Sequence, residues 1–237
     1  MRTARLFVDN LPETTGELVL SERNHHYLSR VLRVRTGHPL ALFNGQGLTA
    51  TAVVSTVEKR QTTVDIQTTA LDEDNRLPVT LALSLIKSDR FDWALQKATE
   101  LGVSRIVPII SRFTDSPPKN DRLEKKEAHW REIVVNACEQ SGHNWLPEIG
   151  PVTHFEDLEL DGKQAVFAHP GVTSSPLDPS EPCWLIIGPE GGFHPDEVEA
   201  LMKKQVKPMA LGPRILRAET AALVGLTLLA KDYGQFS

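Results

Sequence analysis

The chain has 237 residues, 40% of them hydrophobic and 24% charged, with a formal net charge of −5. That length holds one large domain or two modest ones with ample core. The composition is that of a globular protein, and the acidic balance excludes wholesale electrostatic coating of nucleic acid.

The N-terminal stretch "MRTARLFVDNLPETT" has no long apolar segment. Nowhere do about eighteen apolar residues run together, as a membrane-spanning helix requires. A cytoplasmic protein with no membrane partner is expected. Residues 1–70 then read as short strands: "ELVLS", "PLALFNGQG", "TATAVVSTVE" and "QTTVDIQTTA", with "NGQG" as a turn. One helix interrupts them at "SERNHHYLSRVLRV". Ser21 can cap it, and Tyr27, Leu28, Val31 and Leu32 share a face at helical spacing, which directs Arg30 and Arg33 away from the core. Between Arg23 and His38 the chain carries four arginines, three histidines and no carboxylate. Such a patch binds phosphate or forms a solvated face. A small β-barrel with one helix fits this half, and residues 71–77 read as a linker before the domain at 78–237.

From Val79 strands and helices alternate. "VTLALSLI" is followed by a helix from Ser88 that Gly102 ends, then by "RIVPII" and a long helix from Asp121. The strands "QAVFAH", "CWLIIG" and "PMALG" come next, the last two each leading into a helix. Continuous apolar strands separated by helices indicate an α/β fold with a mostly parallel sheet covered on both faces. Cys138 and Cys183 sit in apolar surroundings without CxxC spacing and read as buried, reduced thiols. No metal site is expected. The final helix is apolar on nearly every face from Ala221 to Ala230. It should be buried all round, with Leu226 and Leu229 against a second subunit.

Two glycine-proline turns carry the chemistry: "LIIGPEGGFHPDEVEAL" from Leu185 and "LGPRILRAETAAL" from Leu211. Both follow strands, where ligands of parallel sheets bind. Neither has phosphate-loop spacing, and Glu190 beside Gly191 and Gly192 would repel a phosphate. A carboxylate among bare backbone groups suits a nucleoside-like ligand without phosphates, such as S-adenosylmethionine. The glycines also serve as plain turns into the helix that Pro195 starts.

The paired motifs, with "HYLSRVLRV", "LQKATELGVSRIVPIISR" and "NACEQSGHNWLPEI", closely resemble the RsmE family of 16S ribosomal RNA uridine-N3 methyltransferases of the SPOUT superfamily. The resemblance covers the whole chain. It implies a SPOUT-type trefoil-knotted sheet, an N-terminal PUA-like RNA-binding barrel and a homodimer acting on 16S rRNA or the assembled small subunit. It places the cofactor S-adenosylmethionine against His169 and Pro170, against Gly188, Pro189, Glu190, Gly191 and Gly192, and against Leu211, Gly212, Ile215 and Leu216. Arg2, Arg5, Arg30, Arg33, Arg35 and His143 are the implied RNA contacts. His143 stands where the family commonly has arginine, and His194 where it has a small hydroxyl residue, which bears on the helix cap.

N3 lies on the Watson–Crick edge, so the target base must be unpaired or extruded. Methylating it calls for positioning, a route for the N3 proton and stabilisation of the developing uracil anion. Arg217 follows the second turn and can donate to a carbonyl oxygen beside N3, or form an ion pair with Glu219 or Glu190. Glu219 is either a general base or a first-turn carboxylate that stabilises its helix. Two alternatives remain at this level: a SPOUT enzyme modifying another rRNA or tRNA position, and a non-catalytic RNA-binding protein.

Overall fold

A computed structural model of the chain describes residues 3–115, 117, 120–172 and 176–236. Its contacts divide the chain into two units, Met1–Asn75 with Cys138–Leu146, and Arg76–Ala137 with Pro147–Ser237. Arg2, an expected RNA contact, lies outside the described residues.

In the first unit β1 (Ala4–Phe7), β2 (Gly16–Val19), β3 (Pro39–Phe43), β4 (Leu48–Val57) and β5 (Thr62–Leu71) form one sheet, ordered β1-β3-β4-β5-β2. The β1–β3 pair is parallel and the others antiparallel. Alternate residues of β4, from Leu48 to Val54, point into the core with Leu6, Leu40, Leu42, Val64 and Ile66, as the period of two demands. Asn44 closes the "NGQG" turn, its Oδ1 accepting from the N–H groups of Gln46 (2.8 Å) and Leu48 (3.1 Å).

The helix in this unit departs from its expected form. Helix α1 (Glu22–His26) starts at Ser21, whose side chain accepts from the Asn24 N–H at 3.3 Å. A π-helical turn, Tyr27–Leu32, replaces its continuation. The Leu28 carbonyl accepts from the N–H groups of both Arg33 and Val34, the latter at 3.0 Å. The wider turn changes which residues share a face. Leu28 and Val34 enter the core, while Tyr27, Val31 and Leu32, expected beside Leu28, are exposed. Arg33 then takes a left-handed conformation, φ 51°, at a cost of roughly 1–2 kcal/mol for a residue with a side chain.

The second unit contains β6 (Leu77–Ser84), α2 (Ser88–Glu100), β7 (Val103–Ile110), most of α3 (Asn120–Ser141), β8 (Glu148–Ile149) and β9 (Thr153–His154). It continues with β10 (Gln164–Ala168), β11 (Cys183–Ile187), α4 (Pro195–Lys203), β12 (Lys207–Met209) and α5 (Ala218–Asp232). The seven strands make one sheet in the order β12-β10-β11-β6-β7-β8, with β9 also on β7. Every pairing between these named strands is parallel, so the α/β architecture read from the alternation is present. The central strands are the continuous apolar ones: Leu81, Ala82, Leu83, Leu185 and Ile186 are fully buried, as strands covered on both faces must be.

Helix α5 packs on α2, β6 and β11. Gly225 permits this approach, since a Cβ there would lie 2.8 Å from Leu185 Cδ2. Leu226 and Leu229, expected against a second subunit, are fully buried in the chain's own core. Leu228 on the outer side is exposed, and Leu223 and Val224 are half-buried. One chain therefore covers one face of α5, because α2 and the sheet lie on a single side of it.

The last residues of α3 and the loop after them, Cys138–Leu146, count with the first unit. Glu139 accepts from the Phe7 N–H at 2.9 Å and pairs with Arg23 at 3.1 Å. Arg5 donates to the His143 carbonyl (3.0 Å) and to Asn144 Oδ1 (2.8 Å), and Trp145 Nε1 donates to the Glu73 carbonyl at 3.1 Å. No described helix is long and apolar enough to cross a membrane.

Candidate active site

Three loops leave the carboxyl ends of β10, β11 and β12 and enclose a cavity of about 420 Å³ in the second unit. Every residue that the resemblance gives to the cofactor lines it: His169 and Pro170, Gly188 to Gly192, and Leu211, Gly212, Ile215 and Leu216. Ile187, Phe193 and the first turn of α5, Ala218 and Ala221, complete the wall. The volume is that of a small-molecule site. A second cavity of about 500 Å³, beside Ser111, Arg112, His154 and Asp196, contains none of these loop residues.

The loop after β11 is tightly made. The Gly192 N–H donates to the Pro189 carbonyl at 2.9 Å, with Gly192 at φ 72°, a conformation that glycine adopts without steric cost. A Cβ on Gly188 would press at 3.3 Å on the Phe193 ring. A Cβ on Gly191 would meet only ordinary contact with Phe113, nearest atom 3.4 Å. Gly191 is thus not demanded by contact with its neighbours, though it lines the cavity. Gly212 in the third loop has φ 109° and nothing near its missing side chain.

His194 settles the helix cap. Its Nδ1 accepts from the Asp196 N–H at 3.2 Å, and its own N–H donates to Glu197 Oε2 at 2.7 Å. That reciprocal pair does what a small hydroxyl residue does at a helix start. Glu197, buried, also accepts from the Arg112 N–H at 2.9 Å, which ties α4 to the end of β7.

The charged groups depart from the ion pair considered for Arg217. Arg217 is the N-cap residue of α5, exposed, and no side-chain hydrogen bond or ion pair joins it to the described residues. The partners considered for it belong to Arg90 of α2. The Arg90 guanidinium lies 3.4 Å from Glu190 Oε1 and 3.9 Å from Glu219 Oε1. Glu219 is buried, its Oε2 has no hydrogen-bond partner among the described residues, and it is not among the residues lining the cavity. Arg90 was not legible in the sequence, because its two partners are distant along the chain and share no spacing with it. Arg214, which lines the cavity, was missed beside the glycine motif it follows.

The expected RNA contacts fall into two groups. Arg5 is engaged inside the first unit, with its guanidinium also 4.7 Å from the Phe43 ring centroid, and His143 contributes the carbonyl it binds. Arg30, Arg33 and Arg35 are exposed, without a side-chain partner among the described residues. Both cysteines are buried and neither is in a disulfide. Burial pushes the Cys183 thiol up to about 12, as it does the Tyr233 hydroxyl. Among the described residues no group of three or more His, Cys, Asp or Glu side chains is placed to hold a metal ion.

Residues 73–230 match the family model of the RNA methyltransferase domain. Ribosomal RNA small subunit methyltransferase E of Buchnera aphidicola (from Acyrthosiphon pisum) is 30% identical over 98% of this chain and 94% of its own length. The Rickettsia conorii protein of the same name is 31% identical over 95% and 94%. A ribosomal RNA small subunit methyltransferase E from Neisseria gonorrhoeae, solved bound to S-adenosyl methionine, superposes with a TM-score of 0.89 at 30% identity over all of both chains. A putative methyltransferase from Legionella pneumophila, solved with bound cofactor SAM, gives 0.86 at 31% identity over 98% of each. With a domain match over most of its length and relatives that align from end to end, the chain belongs to the ribosomal RNA small subunit methyltransferase E family of RNA methyltransferases.

Proposed function

We propose that the chain is an S-adenosylmethionine-dependent methyltransferase that methylates N3 of a uridine in 16S ribosomal RNA, in the cytoplasm. One observation carries this reading: the loops after three adjacent parallel strands line a single cavity of about 420 Å³, in a chain whose full-length relatives are rRNA methyltransferases. The lining fits the cofactor. Main-chain groups and apolar side chains suit an adenosine, and Glu190 is an acceptor for hydroxyl or amine donors. When bound, S-adenosylmethionine supplies a methyl group activated by its sulfonium sulfur.

The protein's own residues supply position and charge. Gly188 to Gly192 and Leu211 to Leu216 hold the cofactor in place, which converts encounter into fixed orientation. Arg217, without a side-chain partner among the described residues and at the positive end of α5, is the donor for a uracil carbonyl oxygen as charge develops there. For Glu219 we propose the second of its two roles: it stabilises the start of α5 and balances Arg90.

The finer architecture belongs to the same proposal. Residues 1–70 act as a PUA-like RNA-binding barrel, 71–77 as linker and 78–237 as a trefoil-knotted catalytic domain. The knot is supported by the path of the C-terminus. Strand β12 is at the sheet edge, whereas α5 packs on the central strands β6 and β11. The homodimer is supported by apolar groups left in water: Leu228 on α5 and Ile215, 93% exposed, in the third loop. Leu228→Glu should therefore yield folded, inactive monomers by light scattering, and a wild-type monomer of full activity would refute the dimer.

Calorimetry with S-adenosylmethionine and mass mapping of the modified nucleotide test the whole reading. Micromolar binding and a methyl group on N3 of one 16S uridine are the expected results. No cofactor binding would leave an RNA-binding protein, and a methyl group elsewhere would leave another SPOUT enzyme.

A further inference from the structure

The wide turn of the first unit does something that neither its sequence nor the proposed activity requires. By moving Val34 inward in place of Val31 and Leu32, it leaves Tyr27, Val31 and Leu32 exposed by 40%, 61% and 40%. Arg30, Arg33 and Arg35 alternate with them, exposed and without a side-chain partner among the described residues. No carboxylate occurs between Arg23 and His38, so the patch is cationic and apolar together. In a π-helical turn, residues four or five apart are neighbours, which puts Val31 and Leu32 beside Tyr27. Arg33 ends the turn in a left-handed conformation, φ 51°, and strain of this kind collects at functional surfaces.

We infer that this turn is a platform for unpaired nucleotides, with base faces on Tyr27, Val31 and Leu32 and phosphates on Arg30, Arg33 and Arg35. The inference rests on the reading of the chain as an enzyme acting on RNA. The three arginines call for a polyanion. The three apolar side chains decide which kind. An A-form duplex presents phosphates and 2′-hydroxyls and keeps its base faces stacked inside. On a duplex Tyr27, Val31 and Leu32 would stay in water or be capped by phosphate. Unpaired bases offer RNA's large apolar surfaces, and stacking on an aromatic ring tolerates any base. The turn therefore selects strand state, while the cavity of the second unit acts on the target base.

The test uses the full chain and fluorescence anisotropy, with a uridine-containing single strand of about twelve nucleotides and a blunt duplex of equal charge, over a salt series. The single strand should bind on the order of tenfold more tightly. Tyr27→Ala should remove about that factor while leaving the slope of log affinity against log salt unchanged, and Tyr27→Phe should restore it. Arg30→Gln should flatten the slope by roughly 0.7, the share of one phosphate on a single strand. Tyr27 is exposed, so the variant should keep its melting temperature and its S-adenosylmethionine affinity. Equal binding of duplex and single strand, or unchanged affinity in Tyr27→Ala, overturns the platform. A Tyr27→Ala variant that binds RNA normally but fails only on the assembled subunit assigns the turn to a protein contact and also overturns it. Failure of wild type to bind S-adenosylmethionine would instead sink the methyltransferase reading and leave the strand preference standing.

Discussion

The loops after β11 and β12 line the same cavity from opposite conditions. The first is finished: Gly192 is bonded to Pro189, Glu190 is answered by Arg90, and His194 and Glu197 close the helix that follows. The second is unfinished, with Ile215 almost wholly in water and Arg217 without a side-chain partner among the described residues. A loop whose groups are satisfied before a ligand arrives contributes shape without further ordering cost. A loop whose apolar and cationic groups are unsatisfied is organised by what binds it. The cavity thus joins a half whose groups are already paired to a half whose apolar and cationic groups are left exposed.

The comparison breaks most completely at Gly191. Gly191→Val places a branched side chain in the finished loop, against Phe113 and beside the cavity that Gly191 lines. Cofactor affinity should fall on the order of a hundredfold or more, about 2.7 kcal/mol, with the melting temperature near wild type. Gly212→Val tests less cleanly, because φ 109° adds backbone strain. In the open half, Arg217→Ala should bind cofactor and RNA nearly normally and lose about a hundredfold in single-turnover rate, as when one donor to developing charge is removed. Lysine should rescue poorly, since a point charge does not copy the planar fork. An unchanged rate would remove Arg217 from the mechanism.

Arg90→Met takes the counter-charge from both Glu190 and Glu219. Stability should drop by less than the ~3–5 kcal/mol of a fully buried broken pair, because Arg90 keeps partial exposure. Adding Glu219→Gln should recover part of the melting temperature, a coupling that a double-mutant cycle reads directly. Independent effects would dissolve the ion-pair network. The smallest effect is alkaline. Burial raises Cys183 from 9.0 and Tyr233 from 10.0, each to about 12. Between those values the unfolded chain releases protons that the folded chain retains, so stability is complete below about pH 9 and declines as pH rises toward 12. Cys183→Ala should flatten the decline in alkaline melting curves.

What the sequence revealed and concealed follows from the range of the interactions. The continuous apolar strands and their helices announce a parallel sheet, because burial on both faces writes itself into consecutive residues. Glycine turns at strand ends announce the cavity for the same local reason. The π-helical turn was hidden, since Tyr27, Leu28, Val31 and Leu32 satisfy the 3.6-residue pattern and only competition from Val34 for the core breaks it. Arg90 was hidden because an ion pair across the fold leaves no spacing. Leu226 and Leu229 look like an interface only while the packing of α5 on α2 and the sheet is unknown.

The segment Cys138–Leu146 has a consequence for how the protein is made. Glu139, His143, Asn144 and Trp145 supply partners to Phe7, Arg5 and Glu73, so the first unit is not complete when its own strands have been synthesised. An emerging chain must extend through Leu146, well into the sequence of the second unit, before the N-terminal sheet gains those bonds. Domains that lie in one stretch fold in order of synthesis, whereas here the earliest strands wait for the middle of the chain. A nascent chain stalled near Asn75 should be cut readily by protease, and one stalled with Leu146 clear of the exit tunnel should resist. The same dependence means that no single cut yields two whole pieces, since a fragment beginning near Pro78 carries Trp145 away from the strands it completes.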